Sequence, residues 1–162
     1  MRMAGAAMVL TAALPACSSS ASESTATATA EAIVRHPESG LRIVPLAVVH
    51  QGKRHEFRVE VAQSRSEQAK GLMFRTAMGA DEGMLFPMEP PREASFWMKN
   101  TVIPLDIIFI GTDRRIINIA ANAVPYSEET LDSKGVAAAV LELNGGRAAQ
   151  LGIEPGDKVD WQ

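Results

Sequence analysis

The 162-residue chain has a single cysteine, three histidines and only 5% aromatic residues. One cysteine cannot close an intrachain disulfide, so the fold must be held by its core alone. Scarce aromatics and the lack of any Lys/Arg-rich run, at a net charge of −3, exclude the stacking platforms and basic faces of nucleic-acid binders. There is no G-x-S-x-G, and His36, His50 and His55 cluster far from any serine in a suitable elbow, which removes the serine-hydrolase reading. No Gly-rich phosphate loop occurs. The N-terminal apolar run, Met3 to Leu14, is too short to cross a bilayer as a helix.

What is present suffices for one domain: 46% hydrophobic residues and 22% charged ones. The start, "MRMAGAAMVLTAALPAC", has a positive residue, an apolar run and then small residues, the layout of a secretory signal peptide over 1–16. Leu14-Pro15-Ala16-Cys17 resembles the lipobox of bacterial lipoproteins, which would make Cys17 the lipid attachment site. The expected location is the bacterial envelope, membrane-anchored through that lipid, with the domain facing the periplasm or the cell exterior. Residues 17–40 begin with a Ser/Thr/Ala-rich stretch that cannot bury enough apolar surface to order itself, and are read as a tether. Residues 41–162 are read as a single domain.

Within that domain, alternation over 41–62 predicts a hairpin turning at Gly52-Lys53, with His50 opposite His55 and Val48 opposite Phe57. Ser64 and Glu67 have capping-box spacing ahead of a short helix that Gly71 stops. "EGMLFPM", "ASFWMK", "LDIIFIG", "RRIINIAANA", the second half of "VAAAVLELN" and "DKVDW" read as strands, and "RAAQLG" as a second short helix. The sum is a mainly β (α+β) domain, a β-sandwich or partly open barrel of about seven or eight short strands with two short helices.

Five motifs then stand in a distinctive order: "GLMFR" (71–75), "GMLFPM" (83–88), "FWMKNTVIPLDIIFI" (96–110), "VLEL" (140–143) and "GIEPGD" (152–157). In this the chain resembles the domain of unknown function 192 family over roughly residues 55–161. The resemblance implies a mainly β fold with short helices, often preceded by a signal or lipoprotein segment. It implies no reaction.

Three constellations could carry chemistry. His50 and His55 could supply half a metal site, but a site needs three or four ligands, so no metal is expected. Met73, Met78, Met84, Met88 and Met98 could hold Cu(I), making a copper-handling protein one alternative. Their spacing beside Phe74, Phe86 and Phe96 fits core packing better. The third set is polar. Alternation puts Asp106 on a face with Ile108 and Ile110, and Glu142 on a face with Val140, where lone carboxylates are costly unless paired. Arg75 and Lys99 are the natural partners. A tight turn at Val102-Ile103 would set Lys99 opposite Asp106. The expected ligand-binding set is Arg75, Trp97, Lys99, Asn100, Asp106 and Glu142, and no catalytic residue or cofactor is assigned. The function expected is binding of a small molecule, glycan or envelope partner by a monomer. The other alternative is a glycosidase-like hydrolase using Asp106 and Glu142.

Overall fold

The computed structural model describes residues 33–162. The expected signal peptide, Cys17 and most of the expected tether lie outside the described residues. The last part of that tether, residues 35–40, belongs to a small antiparallel turn. Arg35 bridges Arg42, and the His36 amide donates to the Leu41 carbonyl at 2.9 Å.

The chain then enters β1 (Ile43–His50) and β2 (Lys53–Val61), an antiparallel hairpin. Its turn is Gln51-Gly52 rather than Gly52-Lys53. Both residues have positive φ, 46° and 80°, as a type I′ turn requires. His50 therefore pairs with Lys53, Val48 with His55 and Leu46 with Phe57. The register moves by two, and a pleat of period two returns each side chain to its expected face. Leu46, Val48, Phe57 and Val59 are accordingly all buried.

Helix α1 (Arg65–Lys70) carries the expected capping box. The Ser64 hydroxyl accepts from the Glu67 amide at 3.2 Å, and the Glu67 carboxylate accepts from the Ser64 amide at 2.7 Å. This helix lets β3 (Glu82–Arg92) return parallel to β2. Then come β4 (Ser95–Phe96), β5 (Leu105–Gly111), β6 (Ile116–Ala123), β7 (Leu131–Asp132), β8 (Ala137–Asn144), α2 (Arg147–Leu151) and β9 (Lys158–Trp161). The expected tight turn at Val102-Ile103 does not form. The chain leaves strand after Phe96 and reaches β5 through an irregular loop.

Seven strands make one mixed sheet in the order β6-β5-β8-β3-β2-β1-β9, and β4 pairs with β7 apart from it. The sheet curls until its edges meet at one end. Arg115 bridges Lys158, and the Ile116 amide donates to the Asp157 carbonyl at 2.9 Å. The fold is thus mainly β, α+β in class, with an incompletely closed sheet and two short helices. Among the described residues the strands number nine because β4 and β7 are two-residue pieces.

The central strands β3, β5 and β8 are apolar on both faces. All seven residues of β5 are buried. One face, with Leu85, Ile108 and Leu141, looks into the curl toward Val48 and Val59. The other, with Met84, Phe86, Ile107, Phe109 and Val140, is covered by Leu72, Met98 and the loops around β4. That loop cover is incomplete, and the candidate site lies in the gap.

Candidate functional site

A cleft of about 500 Å³ opens on the outer face of the central strands. Phe86 of β3, Phe96 of β4 and Glu142 of β8 line it, with Leu72 after α1 and Trp97 and Thr101 of the loop before β5. Phe86 and Phe96 meet edge to face with centroids 5.1 Å apart, so the apolar part is rigidly packed. Trp97 is 46% exposed, an uncommon placement for so large an aromatic side chain.

Glu142 is brought to this face by simple register. It pairs with Met84 across β8–β3 and with Ile107 across β8–β5, and both partners are outer-face core residues. Gly83 permits the close strand approach. A Cβ there would stand 2.5 Å from the Glu142 carbonyl oxygen. The Glu142 side chain is 5% exposed, and its Oε2 has no hydrogen-bond partner. Burial among these apolar residues pushes its carboxyl up to about 8. At neutral pH it therefore keeps its proton and is an uncharged donor. An unpartnered buried polar atom beside an open cleft is the kind of group a ligand satisfies.

The loop bearing Trp97 is pinned by backbone bonds. The Met98 amide donates to the Ser127 carbonyl at 2.9 Å, and the Asn100 carbonyl accepts from the Phe74 amide at 2.9 Å. Asn100 and Phe74 have φ of 56° and 65°, a conformation uncommon for a bulky residue such as Phe. The cleft's rim is thus held in a costly geometry by surrounding structure.

The structure divides the six residues that sequence grouped together. Trp97 and Glu142 line the cleft. Lys99 and Asn100 flank it: the Lys99 ammonium lies 5.0 Å from the Trp97 ring centre and 3.5 Å from the Glu128 carboxylate, and Asn100 Nδ2 points to the Met73 sulfur at 3.9 Å. Arg75 and Asp106 are elsewhere. Asp106 is fully buried on the opposite sheet face, aligned with Leu143. Its carboxylate accepts from the amides of Asn122 (2.8 Å), Gly146 (2.9 Å) and Ala148 (2.8 Å). Lys99 is not its partner, because the expected hairpin is absent. Three backbone donors carry the role instead.

Arg75 is paired with a residue of β2. Its guanidinium grips buried Glu60 through two bonds of 2.9 and 3.2 Å, and Glu38 lies 3.0 Å away. Ser39 also bonds Glu60. The small turn at 35–42 and the chain after α1 cover this end of β2, which no alternation pattern could reveal.

The two remaining constellations resolve as packing. Met84, Met88 and Met98 are buried in the outer-face cluster. His50 and His55 are not directly opposed. His50 Nδ1 is 3.0 Å from Asp157, while His55 is buried, which lowers its pKa, and its Nε2 has no partner. Among the described residues no group of three or more His, Cys, Asp or Glu is placed to hold a metal.

Comparison with known proteins agrees in family and fold. The model of domain of unknown function 192, described as an uncharacterised ACR, matches residues 47–161. A UPF0127 protein of Thermococcus sibiricus is 27% identical over 112 residues, 69% of this chain and 71% of that protein. A crystal structure of a protein of unknown function from Novosphingobium aromaticivorans is 62% identical with a TM-score of 0.79, covering 82% of this chain and 94% of that one. A crystal structure from Sinorhizobium meliloti, described as a "putative transcription regulator", is 41% identical with a TM-score of 0.73 over 75% of this chain and 95% of that one.

Proposed function

Because the chain belongs to the domain of unknown function 192 family, for which no reaction is described, its function is read from its own cleft: we propose that it is a binding domain that holds a small molecule over Glu142. The observation that carries this reading is the Glu142 Oε2, buried and without a partner beside an open, aromatic-lined cavity. Burying such an oxygen unsatisfied costs about 1–3 kcal/mol, and a ligand donor or acceptor recovers it. The hydrolase alternative has no support, because Asp106 and Glu142 lie on opposite faces of the sheet and Asp106 is fully engaged by backbone amides. A Cu(I) site is disfavoured by the core packing of Met84, Met88 and Met98.

The test is a thermal-shift screen of small organic and saccharide compounds. Hits should raise the melting temperature of the wild type and fail on Leu72→Trp, which fills the cleft. If every hit stabilises both proteins equally, the cleft is not the site.

We further propose that the protein works as a monomer tethered to the bacterial envelope through a lipidated Cys17, with a small ligand or envelope protein rather than nucleic acid as its partner. The sequence pattern of residues 1–17 supports this. Cys17→Ser should move the protein from the membrane fraction to the soluble envelope fraction. A wild type that is already soluble would refute the anchor.

A further inference from the structure

The chemistry of the cleft narrows the ligand class, on the premise of the binding reading above. Its inner part is apolar, made by Leu72, Phe86 and Phe96, and it carries one carboxyl hydrogen-bond donor, Glu142. Such a floor suits a small apolar group bearing a single carbonyl acceptor. A charged amine would face an uncharged carboxyl there. A bare hydroxyl would leave the apolar walls without a partner. The outer part is different. Trp97 offers a half-exposed indole, with the Lys99 ammonium 5.0 Å from its ring centre, and Lys70, Arg92 and Glu93 are the charged side chains that line the cavity. A ring with apolar C–H groups on one face and hydroxyls at its edge matches that arrangement.

An acetamido group joined to a pyranose has both halves. We propose that the cleft is a subsite for an N-acetylated amino sugar, with the acetyl methyl against Leu72, Phe86 and Phe96, its carbonyl accepting the Glu142 proton, and the sugar ring against Trp97. Thr101, which is buried and lines the same cavity, is a further polar contact available to the acetamido group.

This assignment makes binding proton-linked in a stated direction. The groups opposite Glu142 on the neighbouring strands are Met84 and Ile107, which do not titrate. The charged side chains that line the cavity with it are Lys70, Arg92 and Glu93. Glu142 loses the proton it donates as pH passes about 8.

The experiment is calorimetric titration of the full chain with N-acetylglucosamine and its β-1,4-linked dimer and trimer, against glucose and glucosamine. Acetylated sugars should bind at least about tenfold more tightly than both controls, the worth of one good hydrogen bond. Wild-type affinity should fall about tenfold per pH unit above pH 8. Glu142→Gln, whose amide still donates, should keep the affinity at pH 7 and lose the pH dependence. Glu142→Ala and Trp97→Ala should each weaken binding about tenfold or more. Equal binding of glucose or glucosamine overturns the ligand class, as does a Glu142→Gln variant that loses as much as Glu142→Ala. If the acetylated sugars fail while other compounds bind and are blocked by Leu72→Trp, the class falls and the binding reading stands. If no compound of any class binds the cleft, both fall.

Discussion

Replacing Glu142 by glutamine should flatten the dependence of stability on pH, and the size of the change follows from the site. The carboxyl titrates near 4.5 in the unfolded chain and at about 8 in the fold, because burial disfavours its charged form. Between those values the native state holds a proton that the unfolded state has released. Stability therefore falls as pH rises, by about 1.4 kcal/mol per pH unit, and levels off above pH 8. From 4.5 to about 8 the accumulated loss is about 5 kcal/mol. That is as large as the whole stability of many domains. Glutamine has nearly the same shape and no proton to lose. Urea unfolding of both proteins at pH 5, 7 and 9 isolates the effect, since every other titrating group, His55 included, is common to both. Buried His55 works the other way and lowers the stability of both as pH falls through its depressed pKa. The variant should match the wild type within about 1–2 kcal/mol at pH 5 and exceed it by several kcal/mol at pH 9, with unchanged m-values. Parallel curves for the two proteins across this range would refute a buried, unpartnered carboxyl.

Asp106→Ala removes the acceptor of three backbone amides and should cost at least about 3 kcal/mol, with faster hydrogen exchange at Asn122, Gly146 and Ala148. Lys99→Met, which breaks an exposed contact with Glu128 and another over the Trp97 ring, should cost less than about 1 kcal/mol and show no coupling to Asp106→Leu in a double-mutant cycle. Arg75→Met strands the buried Glu60 carboxylate and should cost about 3–5 kcal/mol, while adding Glu60→Leu should restore much of the loss. An Arg75→Met variant as stable as the wild type in chemical denaturation would mean the pair is solvated.

Local rules made much of the fold legible. The Ser64–Glu67 capping box formed as its spacing dictates, because both partners lie within one helical turn. The β1–β2 hairpin kept its faces even though the turn moved, since two-residue shifts preserve the pleat. The faces of Asp106 and Glu142 followed from alternation, and the structure adds that these faces are opposite. The partners of Asp106 were not legible, because backbone amides of residues 122, 146 and 148 carry no side-chain signature. The expected Lys99 pairing assumed a tight turn, where the chain instead makes a loop fixed by bonds to Phe74 and Ser127. Glu60 was hidden for a similar reason. Its burial comes from covering segments remote in sequence, not from its own strand.

The pairing of β1 with β9 has a consequence for how the molecule comes into being. Leu46 aligns with Trp161, and Val49 with Lys158, so β1 waits for a strand made much later. Such long-range pairing closes slowly, because the entropy of a very large loop must be overcome before any contact repays it. Until residues 158–161 are available, β1 presents a bare row of amides and carbonyls beside Val48. A nascent chain halted short of Lys158 has the outer-face cluster in hand but an unsealed strand edge, and that edge is where it would capture another copy of itself.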